Sequence, residues 1–559
     1  MDRLVLITFF VLTFSLFRIF GDPIPTIILP TIDVEITDEK KILLDINPSG
    51  LFILDLANDN VENPNLASNI KFDLEETLPN KIDSPDRQKP VDAIFIFGYG
   101  LNNNLLADLS LFIKNQNPKA SISYLRRSME NYWIDKPNDK NSMSLDDLKS
   151  TILFNYKNFM LNADLGFYGK TYNLQDESII YNALRKKAFN FDLTPSIKID
   201  STSSISLDFF NSFLINNCDG KDGIDVNRNE FSYLMDANIN YSKIFGLKHF
   251  LSGYVGYSFN YQGDFTSGEY IDPKDPDGNV FKGKGANYFF NHIRAGANYS
   301  TIIKESFLIK GGFGFLGIFR DKEFFWYLMP YIRFGYSFKE YFHYYLEGGV
   351  SNIKKPDIYW YKENDFVTFP IDAVGGYKFY GKTGLKGFLL GWFSGYTDFE
   401  FSYNMSGFRW DIISKEENLY TLKSIDYFSL ILHAGIRFTY KEIVEVKIEW
   451  QHNFWYFENM WQELPLNSRD SLKILSKFAI PKTGLSFTLD FIGEFYRKDL
   501  DDNIMNNIYL MNVGIDWSMQ NSFGVGIKFD NILYFQKYQI MPNYDEPGFS
   551  FTVYVKLGF

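Results

Sequence analysis

Hydrophobic and polar residues alternate along most of the chain, and the last twelve residues show the pattern most clearly. Gly548–Phe559 has a hydrophobic residue at every second position, and glycine, serine, threonine, tyrosine or lysine between them. A β-strand shows this period of two when one face meets an apolar environment and the other a polar one. The segment therefore predicts an amphipathic strand that ends on an aromatic residue.

Five further long segments alternate in the same way. They are Lys187–Asp200, Phe231–Ser242, Phe428–Tyr440, Ile443–Asn453 and Tyr509–Met519. Ordinary strands average about 5–6 residues, whereas strands that cross a bilayer need about 9–11. Length and alternation together favour membrane-spanning strands over a soluble β-sandwich.

The connections between predicted strands alternate between short and longer ones. Short turns are predicted at Asn115–Lys119, Lys157–Asn158, Asp200–Ser203, Lys243–Lys248, Ile302–Glu305, Lys339–Glu340, Gly381–Gly384, Lys441–Glu442, Pro481–Thr483 and Gln520–Ser522. Longer ones are predicted at Leu101–Asn104, Trp133–Leu145, Asn173–Arg185, Ile215–Arg228, Gln262–Gly285, Arg320–Glu323, Asn352–Asp365, Asn404–Ile425, Glu458–Asn467, Lys498–Asn506 and Gln536–Pro547. Outer-membrane barrels have short periplasmic turns and long extracellular loops. The pattern predicts an all-β, 22-stranded antiparallel transmembrane β-barrel over residues 91–559, with Pro195 and Pro330 at bulges or strand boundaries.

The first ninety residues differ from the rest. Arg3 and the apolar run Leu4–Phe17 are typical of a signal peptide, which we assign to residues 1–21; the alternative is an uncleaved inner-membrane anchor. Prolines and charges interrupt residues 22–90, which we interpret as a periplasmic arm with short strands at Ile32–Ile36 and Leu51–Leu56.

Composition supports a membrane barrel. Aromatic residues make up 18% of the chain, yet the mean hydropathy is only −0.19. A barrel needs aromatic girdles and an apolar outside, while its interior and loops stay polar. Girdle positions are predicted at Tyr132 and Trp133, Tyr168 and Tyr172, Tyr257 and Tyr261, Phe319 with Phe324–Trp326, and Trp455–Phe457. The net charge of −12 argues against a nucleic-acid partner.

The end of the chain resembles the barrel of TonB-dependent receptors. The residues that carry the resemblance are Asn531–Phe559, with an Asn-Ile-Leu strand end, the Pro547–Gly548 pair and a last strand ending in Phe. Phe97–Tyr172 is more loosely similar to plug-lacking, porin-like members of that superfamily. The resemblance implies an outer-membrane transport barrel of a Gram-negative bacterium. Residues 22–90 are too few for the plug domain of the gated receptors, so the resemblance implies the barrel but not TonB-energised uptake.

Ionisable residues recur on the polar side of the predicted strands. We predict that fourteen of them line the lumen: Asp192, Lys198, Asp236, Arg294, Arg333, Glu347, Arg437, Glu445, Lys447, Glu449, Asp490, Glu494, Asp516 and Lys528. Charged groups on a water-filled pore set its solute preference. The alternative for any one of them is that it pairs with an opposite charge on the next strand and only packs the wall.

The sequence offers little support for a metal site, a catalytic site or a cofactor site. The five histidines, which include His433 and His452 on predicted lumen faces, lack metal-site spacing, and no nucleophile motif or cofactor motif is present. Two loops contain weak calcium candidates, Asp219 and Asp222 in one and Asp272, Asp275 and Asp277 in the other. Neither loop matches the EF-hand template, and solvated loops are the favoured interpretation.

Three functions follow as hypotheses. The first is a solute channel or transporter without its own plug, whose partners are outer-membrane lipid, an unidentified small solute and a protein or lipoprotein that covers the lumen. The second is a surface-exposed binding or adhesion protein that uses the barrel as an anchor. An enzyme is the least favoured, and no cofactor is expected.

Overall fold

The computed structural model covers the predicted barrel. It describes residues 91–558 except 114–116, 131–141, 174–180, 221–225, 247, 266, 272–279, 283–285, 304–305, 321–322, 339–340, 353–375, 390–391, 413–418, 442, 520–522, 535–536 and 540–544. The predicted signal peptide and the arm at 22–90 lie outside the described residues.

Twenty-two long strands form the barrel wall. They are β1 (Val91–Gly100), β2 (Asn104–Ile113), β3 (Lys119–Glu130), β4 (Ser142–Tyr156), β5 (Phe159–Asn173), β6 (Tyr181–Lys198), β7 (Ser203–Gly220), β8 (Val226–Phe245), β9 (His249–Asp264), β10 (Ala286–Ile303), β11 (Phe307–Arg320), β12 (Glu323–Phe338), β13 (Phe342–Asn352), β14 (Tyr377–Leu389), β15 (Phe393–Ile412), β16 (Tyr420–Tyr440), β17 (Val444–Phe457), β18 (Asp470–Ile480), β19 (Leu485–Phe495), β20 (Ile508–Met519), β21 (Phe523–Asp530) and β22 (Ser550–Gly558). Short strand pieces lie in the connections at Ser267–Ile271, Val280–Lys282, Met460–Gln462, Arg497–Lys498, Ile504–Met505, Lys537–Gln539 and Asp545–Pro547, and a 3-10 turn at Leu101–Asn103.

The wall closes on itself. Each wall strand pairs antiparallel with the next one along the chain, and β22 pairs with β1, with Ile94 opposite Gly558 and Gly100 opposite Thr552. A closed wall has no free strand edge, which is the condition that β-structure must meet inside a bilayer. The predicted fold class is confirmed, and so is the pairing of the terminal strand with the start of the barrel.

Within the described ranges, no helix is long and apolar enough to cross a membrane.

Hydrophobic side chains cover the outside of the wall. Phe97, Val255 and Val553 are 46%, 61% and 47% exposed, whereas Ile96 and Tyr554, on the opposite face of their strands, are buried. A soluble protein does not expose an apolar band around its whole circumference, but lipid covers such a band. The molecule is therefore an outer-membrane barrel.

Aromatic rings mark the edges of this band. Towards the long-connection end, the ring centroids of Phe213 and Tyr233 lie 4.7 Å apart, and Tyr261 donates a 3.0 Å hydrogen bond to Asn287. At the short-turn end, Trp392 packs edge-on against Phe438 at 5.3 Å. Rings with a polar tip suit the headgroup level of a membrane.

The predicted girdle is correct at some positions and wrong at others. Tyr257 and Tyr261 point outward, but Tyr168, Tyr172 and Trp455 are buried inside the barrel. Each of these three shares its strand face with inward polar residues, so the period of two, rather than closeness to a strand end, decides the side on which an aromatic ring lies. Phe457 is buried as well, and Tyr132 and Trp133 lie outside the described residues.

Tyrosine rings on the inside of the wall lie over glycines of a neighbouring strand. A Cβ atom would lie 2.6 Å from the Tyr254 ring at Gly296, 2.6 Å from the Tyr345 ring at Gly384, 2.4 Å from the Tyr331 ring at Gly312, and 2.4 Å from the Tyr396 ring at Gly435. Only a residue without a side chain leaves room for the ring there. Gly312 has this role within the glycine-rich segment of β11.

One predicted turn is wrong. Gly381–Gly384 lies in the middle of β14, where Gly381 is opposite Gly348 and Gly384 opposite Tyr345. Gly384 makes room for the Tyr345 ring instead of reversing the chain, and the turn follows β14 near Trp392. The number of strands is unaffected because the chain still reverses once in this region.

Several predicted loops are extensions of strands. Most of Asn404–Ile425, predicted as a loop, continues the β15–β16 hairpin, whose pairing extends to Ile412 and Tyr420. A bulge between Asn404 and Gly407 interrupts the register. The two strand prolines do not form the predicted bulges. Pro195 pairs with Leu161 and Pro330 with Phe313, and neither pairing shows a register shift there.

Candidate functional site

The inner wall is the set of side chains that point into the barrel. On β15, Phe399 and Phe401 point outward and are 40% and 45% exposed, whereas Glu400 and Ser402 point inward and are buried. All fourteen ionisable residues of the sequence prediction occupy inward positions of their strands: Asp192, Lys198, Asp236, Arg294, Arg333, Glu347, Arg437, Glu445, Lys447, Glu449, Asp490, Glu494, Asp516 and Lys528. The strict alternation of the pleat puts them on one side.

Most of these residues have a polar partner on the wall. Ion pairs join Arg294 to Asp236, Arg333 to Glu347 at 3.4 Å, Arg437 to Glu445 at 2.6 Å, Lys447 to Glu449 at 3.1 Å, Lys528 to Asp530 at 3.0 Å, and Glu494 to Arg497 at 3.4 Å. Asp516 accepts a hydrogen bond from Tyr554. Pairing therefore organises the charges, and the paired groups still form a polar surface inside an apolar shell.

A band of charges and tyrosines crosses β12 to β15. Glu347 pairs with Arg333 and accepts a 2.6 Å hydrogen bond from the hydroxyl of Tyr380. The Arg333 guanidinium lies 4.9 Å from the centroid of the Tyr345 ring. On the next two strands, Lys382 pairs with Asp398 at 3.6 Å. Cations and carboxylates are balanced in this sector.

The middle of the sector from β5 to β7 carries three carboxylates instead. Asp164 and Asp192 lie directly opposite each other on β5 and β6, and Asp208 follows on β7. Thr151 donates a hydrogen bond to Asp164, and Asn240 donates one to Asp208. The inner wall is thus asymmetric, with carboxylates supported by neutral donors on one side and ion pairs on the other.

Buried polar clusters near the long-connection end were not predicted. Arg228 and Glu230 form an ion pair at 2.6 Å, and Asn216 donates a 2.6 Å hydrogen bond to Glu230. Lys378 and Glu400 form another buried pair. Sequence reasoning assigned Arg228 to a loop, although the alternation of Phe231–Ser242 continues backwards through Glu230 and Arg228. Following that period past the expected membrane boundary would have found the first cluster.

Of the five calcium candidates, Asp219 lies among the described residues. Asp219 lies 2.6 Å from Arg185, which already balances its charge. Asp222, Asp272, Asp275 and Asp277 lie outside the described residues. In the part of the chain that the structure describes, no three His, Cys, Asp or Glu side chains are grouped to hold a metal ion.

The two histidines that were expected inside the barrel, His433 and His452, point in opposite directions. His433 points inward, 3.5 Å from Asp398. His452 points outward, against the prediction, and pairs with Asp470 at 2.5 Å beside the ring of Phe454. It shares its face of β17 with Trp450 and Phe454, so it belongs to the outside of the wall.

The barrel is similar in structure to several solved transporters and receptors. A copper transporter, OprC, aligns at 8% identity with a TM-score of 0.63, over 84% of this chain and 80% of its own. The FrpB iron transporter from Neisseria meningitidis (F3-3 variant) aligns at 10% identity with a TM-score of 0.63, over 85% and 82%. The ferripyoverdine receptor of Pseudomonas aeruginosa aligns at 9% identity with a TM-score of 0.64, over 85% and 73%. At such identities the likeness establishes the fold alone.

No protein-family model and no curated protein sequence matches the chain. The likeness to these outer-membrane transporters and receptors confirms, for the fold of the barrel, the resemblance drawn from Asn531–Phe559.

Proposed function

We propose that this barrel carries polar solutes across the outer membrane through its lumen. The observation that supports the proposal is the inner wall, on which ionised side chains recur at mid-strand from β6 to β21. A barrel that served only as an anchor could pack its interior with apolar side chains, whereas charged groups on a wide lumen interact with passing solutes. The neighbours named for copper, iron and ferripyoverdine support the same use of the fold.

The proposal extends to the control of the passage. We infer that residues 22–90 do not form the plug domain of the gated receptors, and a 22-stranded barrel needs an obstruction. We assign that role to the 22–90 arm and infolded loops, or to a partner protein or lipoprotein that covers the lumen. The fourteen inner-wall residues then act as pore-lining groups of a plug-lacking, porin-like barrel.

Conductance in planar bilayers tests this function. We expect the purified full-length barrel to open in discrete steps, and a variant without residues 22–90 to open more often or more widely. Controls are bilayers that receive detergent alone and heat-denatured barrel. A correctly folded barrel that passes no current at any voltage, with and without the arm, contradicts the proposal.

A second candidate is binding at the cell surface, because the β15–β16 hairpin stays paired well past the aromatic girdle. One neighbour was solved as a complex with a pyocin, so this fold serves as a docking surface in at least that case. Replacing 408–424 by a short turn shortens the hairpin and leaves the membrane-spanning part of the wall intact. If binding is the function, this variant loses its surface ligand while its solute flux stays unchanged.

A further inference from the structure

The inner wall from β16 to β18 carries more cations than carboxylates in its membrane-spanning part. Two ion pairs lie there, Arg437 with Glu445 at 2.6 Å and Lys447 with Glu449 at 3.1 Å. Two further lysines share the inward face on β18, Lys473 and Lys477. The chain as a whole has a net charge of −12, so this local excess of cations does not follow from its composition.

The four cations are crowded around one point of the wall. Arg437 on β16 lies directly opposite Lys447 on β17, and Lys447 lies directly opposite Leu475 on β18. Lys473 and Lys477 are two positions to either side of Leu475, so both are diagonal neighbours of Lys447, at roughly 7–8 Å between backbones. Like charges that face each other across strands are unfavourable. An anion from solution relieves that repulsion, and we call these four residues the cation cluster.

Lys473 faces a carboxylate that other groups already engage. It lies opposite Glu449, which pairs with Lys447 and accepts a 2.7 Å hydrogen bond from the hydroxyl of Tyr396. The Tyr396 ring lies over Gly435 of β16, the residue opposite Glu449, and so reaches that carboxylate across one strand. Lys473 is exposed to the interior of the barrel and forms no ion pair within the described ranges.

Lys477 is in the same position one turn of the pattern further along β18. It lies opposite Glu445, whose carboxylate pairs with Arg437 instead. Asp516 on β20, which borders this side of the cluster, accepts a hydrogen bond from Tyr554. Lys477 is exposed and has no ion-pair partner in the part of the chain that the structure describes. If Glu445 turned to Lys477, Arg437 would lose its carboxylate, so an exchange of partners leaves the excess unchanged.

The other side of the barrel carries the opposite charge. β6 and β17 are half the ring apart in a closed wall of 22 strands, so they face each other across the lumen. Asp164 and Asp192 lie opposite each other on β5 and β6, and Asp208 follows on β7. An anion in the lumen is therefore repelled from that side and attracted to the cation cluster.

We propose that the cation cluster binds small anionic solutes that carry carboxylate or phosphate groups. An ammonium group has three donors and no acceptor, and its hydrogen bonds to carboxylate or phosphate oxygens are strengthened by charge. Lys473 and Lys477 supply the donors that the wall leaves unused, and Arg437 and Lys447 add to the local potential. The cluster thereby gives the solute class for the passage through the lumen. That consequence rests on the proposed function, whereas the binding itself does not.

Lysine acetylation of the folded full-length barrel in micelles tests the binding without any current. A water-soluble acetylating reagent modifies exposed lysines, and mass spectrometry of the digested protein gives the rate at each one. Sodium pyrophosphate or sodium citrate should slow modification of Lys473 and Lys477, by about twofold when half of the barrels hold the anion. The reference is sodium chloride at the same ionic strength.

Lys441 and Lys482, in the short turns after β16 and β18, are the internal controls and should react equally in every salt. Protection by pyrophosphate supports the proposal for phosphate groups, and protection by citrate supports it for carboxylate groups. Rates at Lys473 and Lys477 that are the same in all three salts overturn the proposal.

Ion permeability in planar bilayers tests the consequence for passage. In Lys473→Gln/Lys477→Gln the anion-to-cation permeability ratio should fall by roughly twofold or more, because both charges act over a screening length of about 8 Å. Lys441→Gln/Lys482→Gln is the matched control, since it removes the same charge from the short turns.

The two ways of failing are distinct. A barrel that passes no current contradicts the proposed passage, while the acetylation rates still decide whether the cation cluster binds anions. A conducting barrel in which both double variants have the same permeability ratio contradicts the role of the cation cluster alone.

Discussion

At the scale of single residues, the strand face decides what a side chain does. His433 and His452 each lie beside an aspartate, yet one belongs to the interior and the other to the outer surface. The fourteen residues predicted to line the pore all occupy inward positions of their strands. The prediction was wrong for His452 because that residue lies on the apolar face of its segment, between Trp450 and Phe454, and residue type was given more weight than position.

The packing of tyrosine rings over glycines leads to a stability prediction. In Gly384→Ala the new methyl group meets the Tyr345 ring at 2.6 Å, so we expect a loss of about 1–3 kcal/mol in the free energy of unfolding. Gly381→Ala is the control on the same strand, since a Cβ there has nothing within 4 Å. Urea unfolding monitored by tryptophan fluorescence measures both. Equal losses, or an undiminished loss for Gly384→Ala in a Tyr345→Ala background, would contradict this explanation.

The turn between β6 and β7 makes stability depend on pH. The Asp200 carboxylate accepts hydrogen bonds from the hydroxyl of Ser203 and from the backbone N–H groups of Thr202 and Ser203, which hold the pKa of Asp200 below its ordinary value. A lowered pKa stabilises the fold fully above the unfolded-state pKa of about 3.9, and the benefit is lost progressively as the pH falls from there through the lower folded-state pKa. The deficit in stability of Asp200→Asn relative to the wild type should therefore be largest at pH 7 and smaller at pH 3. Urea unfolding at both pH values checks this, and a difference that does not shrink in acid is the contrary result.

At the scale of strands, alternation identified the strands of the wall but not the positions at which they end beyond the membrane. The strands continue past the membrane in the β15–β16 hairpin and at the start of β8, because polar residues also alternate there and hairpin pairing does not need lipid. Glycines were the other source of error. Within Gly381–Gly384, Gly384 makes room for the Tyr345 ring on the neighbouring strand, and a single sequence cannot distinguish that use from a turn.

The two faces of a strand should tolerate charge very differently. Val255, near the middle of β9, faces lipid, whereas Ser252 points inward, where Asn298 lies 3.5 Å away. Arginine near the bilayer midplane costs about 2–4 kcal/mol on the lipid face. We expect Val255→Arg to destabilise the barrel folded in lipid vesicles by that amount. Ser252→Arg should destabilise it clearly less. A larger penalty at Ser252 would mean that the faces are reversed.

At the scale of the whole molecule, closure is the property that the even strand number predicted. It depends on seven residue pairs between β1 and β22, with Phe97 opposite Val555. In a Cys218→Ser background, oxidation should cross-link Phe97→Cys to Val555→Cys and change the mobility of the unfolded chain in non-reducing electrophoresis. Phe97→Cys with Phe551→Cys, which lies four residues before Val555 on the same strand face, is the mismatched control. Cross-linking of the mismatched pair alone would contradict the register.

The sequence could not specify which sectors of the interior are acidic and which are balanced. That distribution depends on register, which sets Asp164 opposite Asp192 but Arg333 opposite Glu347. Register follows from the turns and from packing across many strands, and one residue of slip would change every pair. The same limit applies to the buried Lys378–Glu400 pair, whose partners lie on different strands.

The central claim is that solutes pass along the charged inner wall. It is tested most directly by blocking flux with a charged, membrane-impermeant thiol reagent in vesicles that contain Asp192→Cys barrels in the Cys218→Ser background. Phe191→Cys, the next residue on the opposite face of β6, is the matched control. We predict that the reagent reduces the flux of small polar solutes through Asp192→Cys barrels and leaves Phe191→Cys barrels unaffected. Flux that is absent from both folded barrels, or insensitive to the reagent at residue 192, would contradict the account.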